Sequence, residues 1–126
     1  MAEYKVKRFS EESGLKTIYL RFFNVYGQRQ AYNQYGGVIS RFVESTNRNE
    51  SLTVFGTGRQ TRYFVHIRDV VEANILALQS NLGGEVFSVA TGIETEIKML
   101  AELLLDLTNK PKLKIVYSDP RKGDVE

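Results

Sequence analysis

Short apolar runs of strand length alternate with helix-period segments along the whole of this chain. That alternation constrains the fold more than any single residue, because short strands interleaved with helices define the α/β class. Runs over 16–22, 52–55, 61–66, 85–89 and 113–117 read as strands. Residues 2–13 read as a helix stopped by Gly14, which tolerates the left-handed conformation at a helix end. This segment has no start signal, as though the helix began upstream. A second helix is expected from Val38 to Asn47, with Val38, Ile39, Phe42 and Val43 on one face. A third starts at Asp69, read as its cap, with Glu72 completing a capping box. Its apolar positions are Val71, Ile75, Leu78 and Leu82, and Gly83-Gly84 ends it. A fourth is capped by Thr95, turns Ile97, Leu100, Leu103, Leu104 and Leu107 inward, and stops at Asn109 and Pro111. Residues 24–37, rich in Asn, Gln, Gly and Tyr, read as loop.

Composition closes off several functions. The 126 residues make one domain or less, and the formal charge of +2 is spread without a basic stripe, so nucleic acid is not an expected partner. Without cysteine there is no disulfide, thiolate metal site or thiol nucleophile, and one histidine, His66, makes no histidine-rich metal site. No apolar run approaches the ~20 residues that span a bilayer. Met1 is followed by charged residues rather than a leader, so no membrane partner and a cytoplasmic setting are expected.

Four segments carry residues suited to ligand chemistry. Leu20-Arg21-Phe22-Phe23-Asn24-Val25-Tyr26-Gly27 places Asn24 just past a strand's carboxyl end, where open α/β sheets bind ligands. Its amide can donate to a phosphate or sugar oxygen, or simply shape a turn. Gly56-Thr57-Gly58 precedes Arg62, whose guanidinium forks onto phosphate through two parallel hydrogen bonds. Arg62 reads equally as a solvated strand residue. Phe55 can stack on a base or fill a core. His66 reads as packing or hydrogen-bonding locally, since nothing beside it makes a triad. Arg121-Lys122-Gly123-Asp124 reads as a solvated tail on composition alone.

Together these motifs resemble the NAD-dependent epimerase/dehydratase family, the extended short-chain dehydrogenase/reductases. The first motif is similar to the family's Leu-Arg-aromatic-Phe-Asn-Val-Tyr-Gly signature, with Gln28 where a proline is usual. The resemblance implies that Asn24 contacts a nucleotide-sugar diphosphate and that Phe22 and Phe23 lie by the nicotinamide. The pattern Gly56-x-Gly58-x-x-x-Arg62 implies Arg62 on the diphosphate. Tyr63 replaces the family's aspartate, which removes a possible acidic partner of Arg62. Phe55 would lie along the base. The loop holding Tyr32, Tyr35, Gly36 and Gly37 would cover base and sugar. Arg121 would touch phosphate and Asp124 the ribose hydroxyls. Asp124, where dehydratases tend to have histidine, favours an epimerase.

The family's Gly-x-x-Gly-x-x-Gly fingerprint and its Tyr-x-x-x-Lys pair do not occur here, and Tyr4 is followed by Arg8 at the lysine spacing. The resemblance therefore implies an α/β fragment: the substrate-binding half of an extended short-chain dehydrogenase with the Rossmann half missing. Residues 1–23 would end the Rossmann half and 24–126 form the nucleotide-sugar part. The parent would be a UDP-glucose 4-epimerase-like isomerase that uses NAD, a homodimer in full-length form. There a tyrosine takes the sugar hydroxyl proton while hydride leaves and returns to C4. This chain would grip the UDP-sugar, with no catalytic residue, no metal and no cofactor of its own, and would be inactive alone. The alternatives are part of a dehydratase or decarboxylase, a non-catalytic nucleotide-sugar-binding module, or a fragment that binds nothing. Apolar faces and strand edges around Tyr19 and Phe87, left uncovered, would drive self-association.

Overall fold

The computed structural model describes residues 2–32, 36–110 and 112–120. The expected alternation of strands and helices is observed. Helix α1 (Ala2–Ser13) leads to strands β1 (Tyr19–Phe22) and β2 (Asn24–Tyr26), then to helix α2 (Val38–Asn47). Strands β3 (Leu52–Phe55) and β4 (Thr61–His66) precede helix α3 (Ile67–Gln79). Strands β5 (Val86–Val89) and β6 (Glu94–Glu96), helix α4 (Ile97–Thr108) and strand β7 (Ile115–Ser118) complete the order.

The strands form three small sheets. β1 pairs in parallel with β5, and β3 pairs in parallel with β7. β4 is central to the third sheet, parallel to β2 and antiparallel to β6. The chain therefore leaves one sheet and enters another at Phe23. The main core lies under α2 and α4: Phe42, Leu52, Val54, Ile97, Leu100 and Ala101 are buried together. Full burial of such side chains stabilises by about 1.5–3 kcal/mol each.

Several local expectations are corrected. Asn24–Tyr26 is a strand rather than the start of a loop, because Asn24, Val25 and Tyr26 register with Phe64, Val65 and His66. That pairing is long-range and leaves no trace in local composition. The motif's Gly27 is then required: its φ is +155°, and a Cβ there would collide with the Ile67 side chain. Asp69 is not the cap of α3. The helix begins directly off β4, and His66 caps it, its Nδ1 accepting the Arg68 N–H at 3.2 Å. Asp69 sits inside the first turn, where its charge still favours the helix dipole. Thr95 is likewise not a cap but part of β6. The first N–H groups of α4 find carbonyls instead: Ile97 donates to Gln60 and Lys98 to Gly58. α3 stops at Gln79, before the glycine pair, where Ser80 turns extended.

The apolar faces are the largest departure. On α3 and just beyond it, Val71, Ile75, Leu78 and Leu82 are all exposed, Leu78 at 86%. On α4, Leu103 and Leu107 are exposed while Ile97 and Leu100 are buried. Val43 is exposed on α2, and α1 buries no residue. Periodicity marked amphipathic helices correctly but not which faces are covered here.

Candidate functional site

One concave pocket of about 230 Å³ opens between the start of α2, the end of β3 and the first half of β4. Asn24, Gly37, Phe55 and Arg62 line it together. These four come from distant parts of the chain. β2 brings Asn24, β3 ends in Phe55, and β4 carries Arg62. Gly37 is the N-cap of α2, in extended conformation, and no side chain caps that helix. A Cβ there would stand 3.5 Å from the Gln30 Nε2, an ordinary contact.

The electrostatics of this pocket are one-sided. Arg41 and Arg62 both line it, and among the described residues no Asp or Glu lines it with them. The rest of the wall mixes apolar side chains, Val38, Phe42, Val54, Phe55 and Ile97, with the polar Asn24, Thr53 and Gln60. Arg62 is oriented by a hydrogen bond from its Nη1 to the Thr61 carbonyl at 2.8 Å. Asn24 donates from Nδ2 to the Tyr63 carbonyl at 2.9 Å, which fixes the side chain and leaves a second N–H for a ligand. Gln60 donates to the Phe55 carbonyl at 2.7 Å, tying the turn after β3 to the strand itself. Such a wall suits an anion carrying several acceptor oxygens.

Tyr63 does not compete for Arg62. Successive strand residues face opposite sides. The Tyr63 hydroxyl donates to Glu94 Oε1 at 2.6 Å, across the β4–β6 pair, and this bond raises its pKa. The loss of an aspartate at this position therefore leaves the pocket's arginine undisturbed. Tyr63 also packs edge-on against Phe23, centroids 5.4 Å apart.

Phe22 and Phe23 lie outside the pocket. Both are partly exposed, Phe22 at 44% and Phe23 at 42%. Phe22 borders a separate open groove with Ile18, Leu20 and Leu82. Arg121, Asp124 and Tyr35 fall outside the described residues. Tyr32 stands away from the pocket, its ring under the Arg48 guanidinium at 5.5 Å. His66 meets Tyr26 edge-on at 5.2 Å and serves as the α3 cap, as a local hydrogen-bonding role requires.

Sequence reading missed Arg41 and Gln60. A signal for the first existed: Arg41 follows Gly37 by four residues, the spacing that puts two helical positions on one face. Gln60 stands two before Arg62, the same-side spacing of extended chain.

The described residues do not make a dinucleotide site. Gly56 and Gly58 adopt φ of +68° and +77°, but they turn β3 into β4 and open no helix. Among the described residues no cluster of three or more His, Cys, Asp or Glu stands ready to hold a metal. No helix among them is long and apolar enough to cross a membrane.

Comparison with known proteins gives concordant matches. The sequence model of the NAD dependent epimerase/dehydratase family matches residues 1–90. A putative UDP-glucose 4-epimerase of Methanocaldococcus jannaschii is 35% identical over 125 residues, covering 99% of this chain and 40% of the relative. A UDP-N-acetyl-alpha-D-glucosaminuronate decarboxylase of Bacillus cytotoxicus is 36% identical over 104 residues, covering 82% of this chain and 32% of its own length. The crystal structure of a UDP-glucose 4-epimerase from Thermotoga maritima, holding UDP-glucose, superposes with a TM-score of 0.90 at 41% identity. That match covers 98% of this chain and 39% of the solved one. The chain thus spans 40% or less of the length of each of these relatives.

Proposed function

The chain belongs to the NAD-dependent epimerase/dehydratase family, and on that premise we propose that it grips the UDP-sugar for a nucleotide-sugar 4-epimerase. The observation that carries this reading is the meeting of Asn24, Gly37, Phe55 and Arg62 in one pocket. In this role Arg62 and Asn24 hold the diphosphate, Phe55 lies against uracil, and Gly37 leaves room beside the sugar. Arg121 and Asp124 close over phosphate and ribose. Phe22 and Phe23 form a wall toward the nicotinamide. The switch of sheets at Phe23 supports a division between 1–23 and 24–126.

Members of the family use NAD, which in an epimerase accepts and returns the hydride. This chain holds neither the fingerprint loop nor the Tyr-x-x-x-Lys pair, so its own residues bind and orient the sugar nucleotide and move no proton. Orientation is itself worth several kcal/mol when reacting groups meet at fixed geometry. Alone, in a cytoplasmic setting, the chain is inactive. A decarboxylase or dehydratase parent is the second reading, favoured by a decarboxylase of nearly equal identity.

The uncovered faces support self-association of this chain; the full-length enzyme is read as a homodimer from the family resemblance alone. The accessible surface is 9567 Å². A folded monomer of this length exposes about 6,800 Å², so the excess is about 2,700 Å². One partner contributes about 800 Å² to a standard interface. Ile18, Leu20, Leu76, Leu82, Phe87 and Val89 line an apolar groove on that surface.

Saturation-transfer NMR with UDP-glucose tests the binding role. Strong transfer to the uracil protons, lost in Phe55→Ala, supports it. Absence of transfer from the wild-type chain would remove this function.

A further inference from the structure

We propose that Gln60 is a positioning residue that sets the spacing between the base-binding and phosphate-binding ends of the pocket, so that a whole nucleoside diphosphate gains from it and its separate halves do not. This deepens the UDP-sugar reading and rests on it. Residues 56–60 join β3 to β4. Phe55 ends the first of these strands, and Arg62 stands two residues beyond Gln60 on the second. Gln60 spans the mouth of this loop: its Nε2 donates to the Phe55 carbonyl at 2.7 Å. Its own carbonyl accepts the Ile97 N–H at 3.1 Å, which fastens the same residue to the start of α4. The loop backbone is held at two further points. The Gly56 N–H donates to the Ser118 carbonyl at 2.9 Å, and the Gly58 carbonyl accepts the Lys98 N–H at 2.9 Å.

Those two points fasten the loop to β7 and α4, whereas the Gln60 amide ties one end of the loop to the other. Phe55 and Gln60 line the pocket together with Arg62. In the proposed role the Phe55 ring lies on uracil and the Arg62 guanidinium on the diphosphate. The ribose between base and diphosphate fixes how far apart those two grips must stand. A ligand that takes both at once gains when the protein holds them at that distance beforehand, because binding then has less of the loop to order. A ligand that takes one grip does not sense their separation. The half-buried Gln60 commits an N–H to a main-chain oxygen, and that bond, rather than contact with the ligand, is its part in the grip.

The test follows UDP, uridine and inorganic pyrophosphate by NMR chemical-shift titration of the intact chain, using wild type, Gln60→Ala, Phe55→Ala and the double variant. Loss of one such hydrogen bond corresponds to about five- to tenfold in affinity. Gln60→Ala is expected to weaken UDP by that factor while uridine and pyrophosphate stay within about twofold of wild type. In the Phe55→Ala background, where one grip is already gone, Gln60→Ala should change UDP affinity by less than about twofold. Far-UV circular dichroism melts establish that each variant is folded. Gln60→Met, which keeps the length of the side chain without a donor, replaces the alanine variant if that one does not fold. If Gln60→Ala weakens uridine or pyrophosphate as much as UDP, the residue touches the ligand or shapes the pocket at large, and the spacing assignment is overturned. It is overturned too if Gln60→Ala costs UDP the same with and without Phe55, or costs it nothing. In each of these cases wild type still binds UDP and the UDP-sugar reading survives. Absence of UDP binding by wild type sinks both readings together.

Discussion

Substituting Gly58 by alanine strikes the turn on which core and pocket depend together. Gly58 is buried at φ +77°, in the left-handed region that side chains disfavour. An added Cβ would stand 3.0 Å from Val54 Cγ1, 3.1 Å from Lys98 Cβ and 3.4 Å from Tyr117 Cε1. Val54 is 1% exposed and cannot retreat without disturbing the core. The left-handed backbone costs about 1–2 kcal/mol for a non-glycine residue. Forcing an extra methyl into a packed site costs about 1–3 kcal/mol more. The expected loss is therefore about 2–5 kcal/mol, a large share of the 5–15 kcal/mol typical of a whole domain. At roughly 3–5 °C per kcal/mol for this size, the midpoint should fall by at least 6 °C. Gly92→Ala is the matched control, because its φ is +75° but no atom lies within 4 Å of the new Cβ. It should lose only the backbone part. Thermal melts followed by circular dichroism compare the two. Equal losses, or a Gly58→Ala variant within about 0.5 kcal/mol of wild type, would refute the packing argument.

Two further predictions concern the surface. The Glu3 carboxylate is held below its usual pKa, chiefly by its hydrogen bonds from Arg21 at 2.8 and 2.7 Å, which tether α1 to β1. A depressed folded-state pKa means that the tether is present above the ordinary glutamate range and is lost as pH falls through the lowered value. Hydrogen exchange of α1 amides, corrected for intrinsic rates, should accelerate in Glu3→Gln and at low pH in wild type, while α4 stays protected. Unchanged α1 exchange in Glu3→Gln would contradict the tether. Leu76 and Leu78, 60% and 86% exposed, should be replaceable by lysine within about 0.5 kcal/mol of wild-type stability. The double variant should lower the weight-average mass in concentrated samples by light scattering, and an unchanged mass would place self-association elsewhere.

What the sequence made legible was whatever is local. The bounds of α2, β3 and β4 follow from periodicity and from glycine punctuation, and Gly14 does end α1 in the left-handed region. The caps at Asp69 and Thr95 failed for one shared reason. Each helix grows straight out of a strand, so its free N–H groups meet partners that residue preference does not see: the His66 ring for α3, and the carbonyls of Gly58 and Gln60 for α4. The strand at Asn24–Tyr26 exists only through β4. The pocket was half legible. Arg62, Asn24, Gly37 and Phe55 came from resemblance to a family pattern. Arg41 stood outside that pattern, and its place in the pocket lining comes from the structure. Leu103 and Leu107 of α4 were read as inward, and are exposed, because amphipathic spacing says that a face is apolar without saying what covers it.

Calorimetric titration of this chain with UDP, repeated with Arg62→Ala, tests the central claim most directly. The account predicts micromolar to millimolar binding by wild type and at least about tenfold weaker binding by the variant. Binding that ignores the substitution, or none by either protein, would contradict it.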